Sequence, residues 1–266
     1  MELATHIDGP VAVIGDVHGQ IDQLEDVLEQ LNFLPDLKER WIVFIGDIVD
    51  RGPDPKGAIE ILLDLMEDHP RTTCVAGNHE FAMAAALELI PTPSFTDWPE
   101  EWVELYGAET TFDSYGAEYG DLNDLHDKMP EAHRSLLQEL PWCVEHPAYL
   151  FVHAGIDANQ PFELQTQILH ERDFSLARPP WLCSKAYFNG GVPSDCPVTV
   201  VSGHVPVSAV HFGDRRMLID TTGGVQGELS CVLLPENIVI TSGDEPPPQP
   251  TRPAPPKRRG MFGFFK

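Results

Sequence analysis

The chain reads as an α/β protein with a parallel sheet at its centre, and three features of its N-terminal third predict this. Short apolar runs of strand type recur there, each ends in a glycine-bearing turn, and each turn opens a stretch with helical spacing. Such β-turn-α repetition builds a parallel sheet with right-handed crossovers.

VAVI (11–14) leads into GDVHG, after which Ile21, Leu24, Val27, Leu28 and Leu31 recur at helical spacing. WIVFI (41–45) leads into GDIVDRG, and beyond Pro53 and Pro55 the segment Ala58 to Met66 reads as a second helix. TTCVA (72–76) leads into GNHE, followed by an Ala- and Leu-rich helix from Phe81 to Leu89. From Pro91 to Pro147 a long stretch carries Trp98, Trp102, Tyr106, Tyr115 and Tyr119, and is expected to be a mainly packing subdomain, part of which walls a cleft. A structureless loop of that length would be unusual. YLF (149–151) precedes VHAG, Gln165 to Phe174 reads as helix, and VTVVS, AVHF, RMLID, CVLL and NIVI follow as short strands. FGDRR between AVHF and RMLID signals a hairpin turn.

Composition narrows the function classes. A hydrophobic content of 42% over 266 residues suits a soluble globular domain. No apolar run approaches a membrane span, and the N-terminus MELATHIDGP has no signal-peptide pattern. Five cysteines without a CxxC pair favour reduced thiols and a cytoplasmic location. The net charge of −25 argues against nucleic acid as a partner, because phosphate backbones are captured by basic patches.

Residues 244–266, DEPPPQPTRPAPPKRRGMFGFFK, are too proline-rich for helix or sheet and read as a disordered tail beyond a domain spanning 1–243. Lys257, Arg258, Arg259 and Lys266 surround Met261, Phe262, Phe264 and Phe265 there. A solvated appendage is the plain reading. The functional readings are attachment to an anionic membrane, to a partner or to the acidic body.

Five blocks occur in order: GDVHG, GDIVDRG, GNHE, VHAG and GH (203–204). They supply Asp16, His18, Asp47, Asn78, His153 and His204, oxygen and imidazole donors enough for two divalent cations. Residues at the carboxyl ends of parallel strands converge on one crevice. Any one block alone reads as a turn or helix start; five together point to a metal site.

These blocks resemble the calcineurin-like metallophosphoesterases, and GDIVDRG with GNHE is similar to the phosphoprotein phosphatase branch, in particular its small bacterial members. The resemblance runs from about Val11 to about Pro235. It implies a four-layer α-β-β-α sandwich, with residues 91–147 as a mostly helical insertion. It implies two metals, one held by Asp16 and His18, the other by Asn78, His153 and His204, with Asp47 bridging. Manganese is the leading candidate, iron and zinc the alternatives. Hydrolysis would proceed by attack of a metal-activated hydroxide on a phosphorus centre. His79 is the expected general acid, Asp50 its orienting partner, and Arg51 the phosphate clamp. Asn78 would also touch the phosphate, and Arg172 in ILHERDF aligns with a second clamp. Glu80 reads as a structural helix-start acid.

The implied enzyme is a phosphomonoesterase, foremost a serine/threonine phosphoprotein phosphatase, acting on a phosphorylated protein or a small phosphoester. A symmetrical diadenosine tetraphosphatase is the alternative, and a non-catalytic scaffold of the same fold the third reading. Two departures bear on substrate. Ala76 stands where many phosphoprotein phosphatases carry an arginine before GNHE, and IDTTGG alters the family's I-D-T-G pattern.

Overall fold

In the computed structural model, which describes residues 3–244, ten strands form. They are β1 (Val11–Ile14), β2 (Trp41–Phe44), β3 (Thr72–Cys74), β4 (Val144–His146), β5 (Tyr149–Phe151), β6 (Thr199–Ser202), β7 (His211–Gly213), β8 (Arg216–Leu218), β9 (Ser230–Leu234) and β10 (Ile238–Thr241). Between them lie the helices α1 (Ile21–Leu31), α2 (Pro55–Asp68), α3 (Asn78–Ala86), α4 (Trp98–Leu105), α5 (Glu109–Tyr115), α6 (Leu122–Lys128), α7 (Glu131–Glu139), α8 (Phe162–Glu171) and α9 (Pro180–Cys183).

The strands make two five-stranded sheets, in the orders β10-β9-β1-β2-β3 and β4-β5-β6-β8-β7. β1, β2 and β3 pair in parallel, as the β-turn-α pattern predicts, and β5, β6 and β8 form a second parallel trio. All four residues of β1 are buried, so it can only be a central strand. Its side chains alternate between two cores. Val11 and Val13, with Val43, Ile45 and Val75, meet Val144, Phe151, Val201 and Met217 of the other sheet. Ala12 and Ile14, with Ile42 and Phe44, face Leu24, Val27 and Leu31 of α1 and Ala58, Ile59 and Leu62 of α2. The result is helix, sheet, sheet, helix: the four-layer sandwich.

Local chemistry sets the helix starts. Asp54 caps α2 by accepting from Gly57 N at 2.8 Å, and Pro55 takes the first helical position. α3 begins at Asn78, three residues earlier than its apolar pattern suggests, which places GNHE in its first turn. α8 ends at Glu171, where Arg172 turns left-handed with φ 51°. Residues 91–147 hold α4 to α7 and close on β4, a strand too short and polar to stand out in the sequence. Trp98 and Trp102 are buried against α3. The N-terminal segment extends the second sheet through a parallel bridge between His6 and Glu145.

No helix of the described residues is long and apolar enough to cross a membrane. The five cysteines are free thiols. The tail expected over 244–266 lies, from Glu245 onward, outside the described residues.

Candidate metal centre and active site

Each block lies at the carboxyl end of a strand or just beyond it, so the side chains converge. Asp16 and His18 follow β1, Asp47 to Arg51 follow β2, Asn78 and His79 follow β3, His153 follows β5 and His204 follows β6. The turns are tight enough that His18, Asp47, Asp50, Arg51 and His204 all adopt left-handed φ, between 47° and 68°. Non-glycine residues avoid that region unless their surroundings enforce it, and such strain concentrates at functional sites. Gly77 and Gly203 are required by close approach: a Cβ would collide with Asp47 Oδ1 at the first and with Asp16 Oδ1 at the second.

Glu80 is the device that holds two blocks together. Its Oε2 accepts from Asp47 N (2.8 Å) and Gly77 N (2.9 Å), its Oε1 from Ile48 N (2.7 Å) and Val49 N (3.1 Å). One buried carboxylate thus satisfies four backbone donors and locks the GDIVDRG loop to the start of α3.

Backbone carbonyls fix two imidazoles. His18 Nδ1 donates to Val49 O at 3.0 Å and His153 Nδ1 to Ile45 O at 2.8 Å, leaving Nε2 of each pointed inward. Asp47 Oδ2 then lies 3.3 Å from His153 Nε2, 3.6 Å from His18 Nε2 and 3.9 Å from His79 Nε2. Asn78 Oδ1 is 3.1 Å from His153 Nε2 and 2.8 Å from His204 Nδ1. Two groups share Asp47, namely His18, Asp47 and His79 on one side and Asp47, His153 and His204 on the other, each with its donor atoms within 4.8 Å of one another. Asp16 Oδ1 and Nε2 of His79 and His204 are buried without hydrogen-bond partners, which is costly unless something else meets them. A buried carboxylate oxygen and convergent imidazole nitrogens fit divalent cations, with Asp47 between two of them.

Burial and mutual charge strongly perturb Asp16, Asp47, His18, His153 and His204, and His18 and His204 in the direction that favours a metal. Burial raises Asp16 well above the usual carboxylate range, and Asp220 and Asp47 add to it. Burial would raise Asp47 too, but His153, His79 and His18 hold it well below that range. Against burial, the Asp47 charge lifts His153 to about 10. Burial together with neighbouring imidazoles pushes His18 and His204 down to about 3, leaving them neutral, the form that binds metals.

Beside this cluster, His79 Nδ1 donates to Asp50 Oδ2 at 2.8 Å. The same Asp50 oxygen accepts from Trp102 Nε1 at 2.9 Å, and Oδ1 accepts from Thr111 Oγ1 at 2.6 Å. The insertion therefore orients Asp50, a role its aromatic pattern does not reveal.

A cleft of about 230 Å³ opens over Asp47, Asn78, His79 and His204. Arg51 lines it, with Nη1 donating to His18 Nε2 at 3.0 Å. Gly224 of the IDTTGG loop packs beside that guanidinium. The structure does not bring Arg172 to the cleft. Its guanidinium donates to Gln138 O at 2.8 Å and Leu140 O at 3.2 Å and stacks on Phe174, because its left-handed backbone aims it at the end of α7. The other cations lining the cleft are instead Arg178 and Lys185, and Tyr106 and Cys183 line it as well. Arg178 is braced by Glu101 and lies 5.0 Å over the Trp98 ring. Neither cation sits in a recognisable motif. Pro206 borders both this cleft and a larger cavity of about 710 Å³.

Comparisons with known proteins agree with this geometry. The family model for calcineurin-like phosphoesterases matches residues 9–233. An asymmetrical bis(5'-nucleosyl)-tetraphosphatase, PrpE of Bacillus cereus (strain Q1), is 26% identical over 254 residues, 86% of this chain and 92% of that protein. Serine/threonine-protein phosphatase 1 of Salmonella typhimurium is 31% identical over 153 residues, 56% of this chain and 60% of that protein. In fold, a protein serine/threonine phosphatase from Saccharomyces cerevisiae superposes with a TM-score of 0.58 at 16% identity, covering 90% of this chain and 82% of that one. The convergent donors and the family match lead to one conclusion: the chain belongs to the calcineurin-like phosphoesterase family and is a metal-dependent phosphoesterase.

Proposed function

We propose that this phosphoesterase acts on substrates carrying several phosphates in a row, dinucleoside tetraphosphates foremost, with phosphoserine and phosphothreonine in proteins as the second class. The observation that carries the reading is the cationic lining of the cleft. Arg51, Arg178 and Lys185 line the same cleft as Asp47, His79 and His204, on a chain whose net charge is −25. One phosphoryl group needs one clamp; two further cations suit neighbouring phosphates. The missing arginine before GNHE weakens the phosphopeptide reading, and PrpE, a tetraphosphatase by name, aligns over most of both chains. Beyond Pro206 the larger cavity offers room for the rest of a nucleotide.

In this reading Asp16, His18, Asp47, Asn78, His153 and His204 hold two divalent cations, manganese first among candidates and iron or zinc next. When bound, the cations supply Lewis acidity and lower the pKa of water. The chain's own residues do the rest. Arg51 grips the transferred phosphoryl oxygens, and Asn78 assists. Asp50 holds His79 Nδ1, so Nε2 faces the cleft and delivers a proton to the leaving oxygen.

Purified enzyme offered diadenosine tetraphosphate and a phosphothreonine peptide side by side tests the substrate class. Higher kcat/KM is expected on the nucleotide. ATP with AMP as products identifies asymmetrical cleavage, and two ADP the symmetrical mode. Arg178→Ala and Lys185→Ala should each lower kcat/KM on the nucleotide roughly 10-fold, about 1.4 kcal/mol, while barely changing an aryl phosphate. Preference for the peptide, or equal losses on both substrates, reverses the assignment.

A further inference from the structure

Away from the cleft, His6, Glu145 and His170 place three donor atoms within 4.8 Å of one another. His170 Nε2 lies 2.9 Å from Glu145 Oε1, and His6 Nε2 lies 3.7 Å from Glu145 Oε2. The two imidazole rings are stacked, 5.0 Å between centroids and 6° from parallel, so one exposed ring must turn for both Nε2 lone pairs to meet on one ion. We propose that these residues form a separate transition-metal site of the zinc type, independent of the catalytic pair.

Several features support a ligand set rather than a chance cluster. Two imidazoles and one carboxylate are the donors zinc favours, and bonds of about 2.0–2.2 Å in a tetrahedron put neighbouring donors about 3.3 Å apart. The observed 2.9 and 3.7 Å bracket that spacing. Thr5 Oγ1 lies 3.1 Å from His6 Nδ1, which leaves Nε2 as the ligand nitrogen and fixes the ring. The strongly negative body favours a cation anywhere on its surface. Cys143 Sγ, buried, approaches His170 Nε2 at 3.9 Å from the inner side of the cluster. The side chain of His6 is 67% exposed, so the fourth position opens to water.

The three donors come from three separate segments. His6 lies on the N-terminal segment, Glu145 on β4 and His170 in the last turn of α8. The existing ties between the first two are backbone bonds, Ile7 N to Glu145 O at 2.9 Å and Glu145 N to Thr5 O at 2.8 Å. A bound ion would pin the N-terminus and α8 to the edge of the second sheet, and its binding free energy would add to folding stability.

Zinc itself is the probe. The full chain is equilibrated with zinc, washed, and its metal counted by elemental analysis. Wild type should retain one zinc more than His6→Ala or the double variant His6→Ala/His170→Ala. An Asp47→Asn chain should keep this zinc while losing the catalytic ones. His6→Ala should leave manganese-dependent turnover unchanged, which shows that it folds, and should lose the part of the zinc-induced rise in Tm that comes from this site. Equal zinc content in wild type and the double variant overturns the proposal, as does loss of all zinc from the Asp47→Asn chain.

Discussion

Trp102 and His79 donate to one and the same oxygen, Asp50 Oδ2, at 2.9 and 2.8 Å. A tryptophan of the helical insertion thereby sets the direction of an imidazole that belongs to the GNHE block. Trp102→Phe keeps most of the buried ring but removes the donor, and Thr111→Val does the same for Oδ1. Each should lower kcat about 10-fold, with metal content unchanged, and the loss should grow as the leaving group becomes a poorer one. His79→Asn should show the same trend at roughly 100- to 10,000-fold. Rates on aryl phosphates of graded leaving-group pKa check this; a loss independent of leaving group would confine Trp102 to packing.

Asp47→Asn should abolish metal-dependent hydrolysis, because a single carboxylate oxygen faces His18, His79 and His153 at 3.3–3.9 Å. Elemental analysis should find the catalytic metals gone and far-UV circular dichroism should be unchanged. Near-normal turnover would remove Asp47 from the bridging position.

Arg51→Lys should stay impaired on every substrate, since an ammonium cannot reproduce the planar fork. Arg178→Lys should hurt the nucleotide substrate alone. Steady-state constants for the two variants on both substrates separate the roles, and full activity of Arg51→Lys would reduce Arg51 to an ion-pairing surface residue.

Glu80→Ala removes no group that touches substrate, yet it strips four backbone N–H groups of their acceptor. Such a loss should cost roughly 3–5 kcal/mol of stability. Urea unfolding measures it, with Glu80→Gln expected to recover part because one oxygen acceptor remains. A shift below about 1 kcal/mol would mean that water replaces the carboxylate.

Most of the framework was legible because strand, ligand and helix follow one another within a few residues. Strand β1, the block bearing Asp16 and His18, and α1 are contiguous, so local pattern sufficed. What escaped depends on contacts distant in sequence. Arg172 carried the motif, but its left-handed backbone turns it to carbonyls of α7, whereas Arg178 reaches the cleft with no motif at all. Trp102 looked like a core aromatic, and it is one; its hydrogen bond to a residue 52 positions earlier leaves no trace in periodicity. β4, three residues with two of them polar, borrows its strand character from pairing with β5. His6 and His170 lack any local pattern and meet only because both segments pack against β4.

The donors also straddle the seam of the sandwich: Asp16, Asp47 and Asn78 are carried by the first sheet, His153 and His204 by the second. Under the proposed ligation, ions held from both sides would act as rivets through the middle of the molecule. Any motion wide enough to part the sheets must then break that ligand shell together with the bonds from His153 Nδ1 to Ile45 O and from His204 N to Asp16 Oδ2. Removing the metals would therefore take away one link between the two sheets and leave these hydrogen bonds and the apolar seam to hold them together.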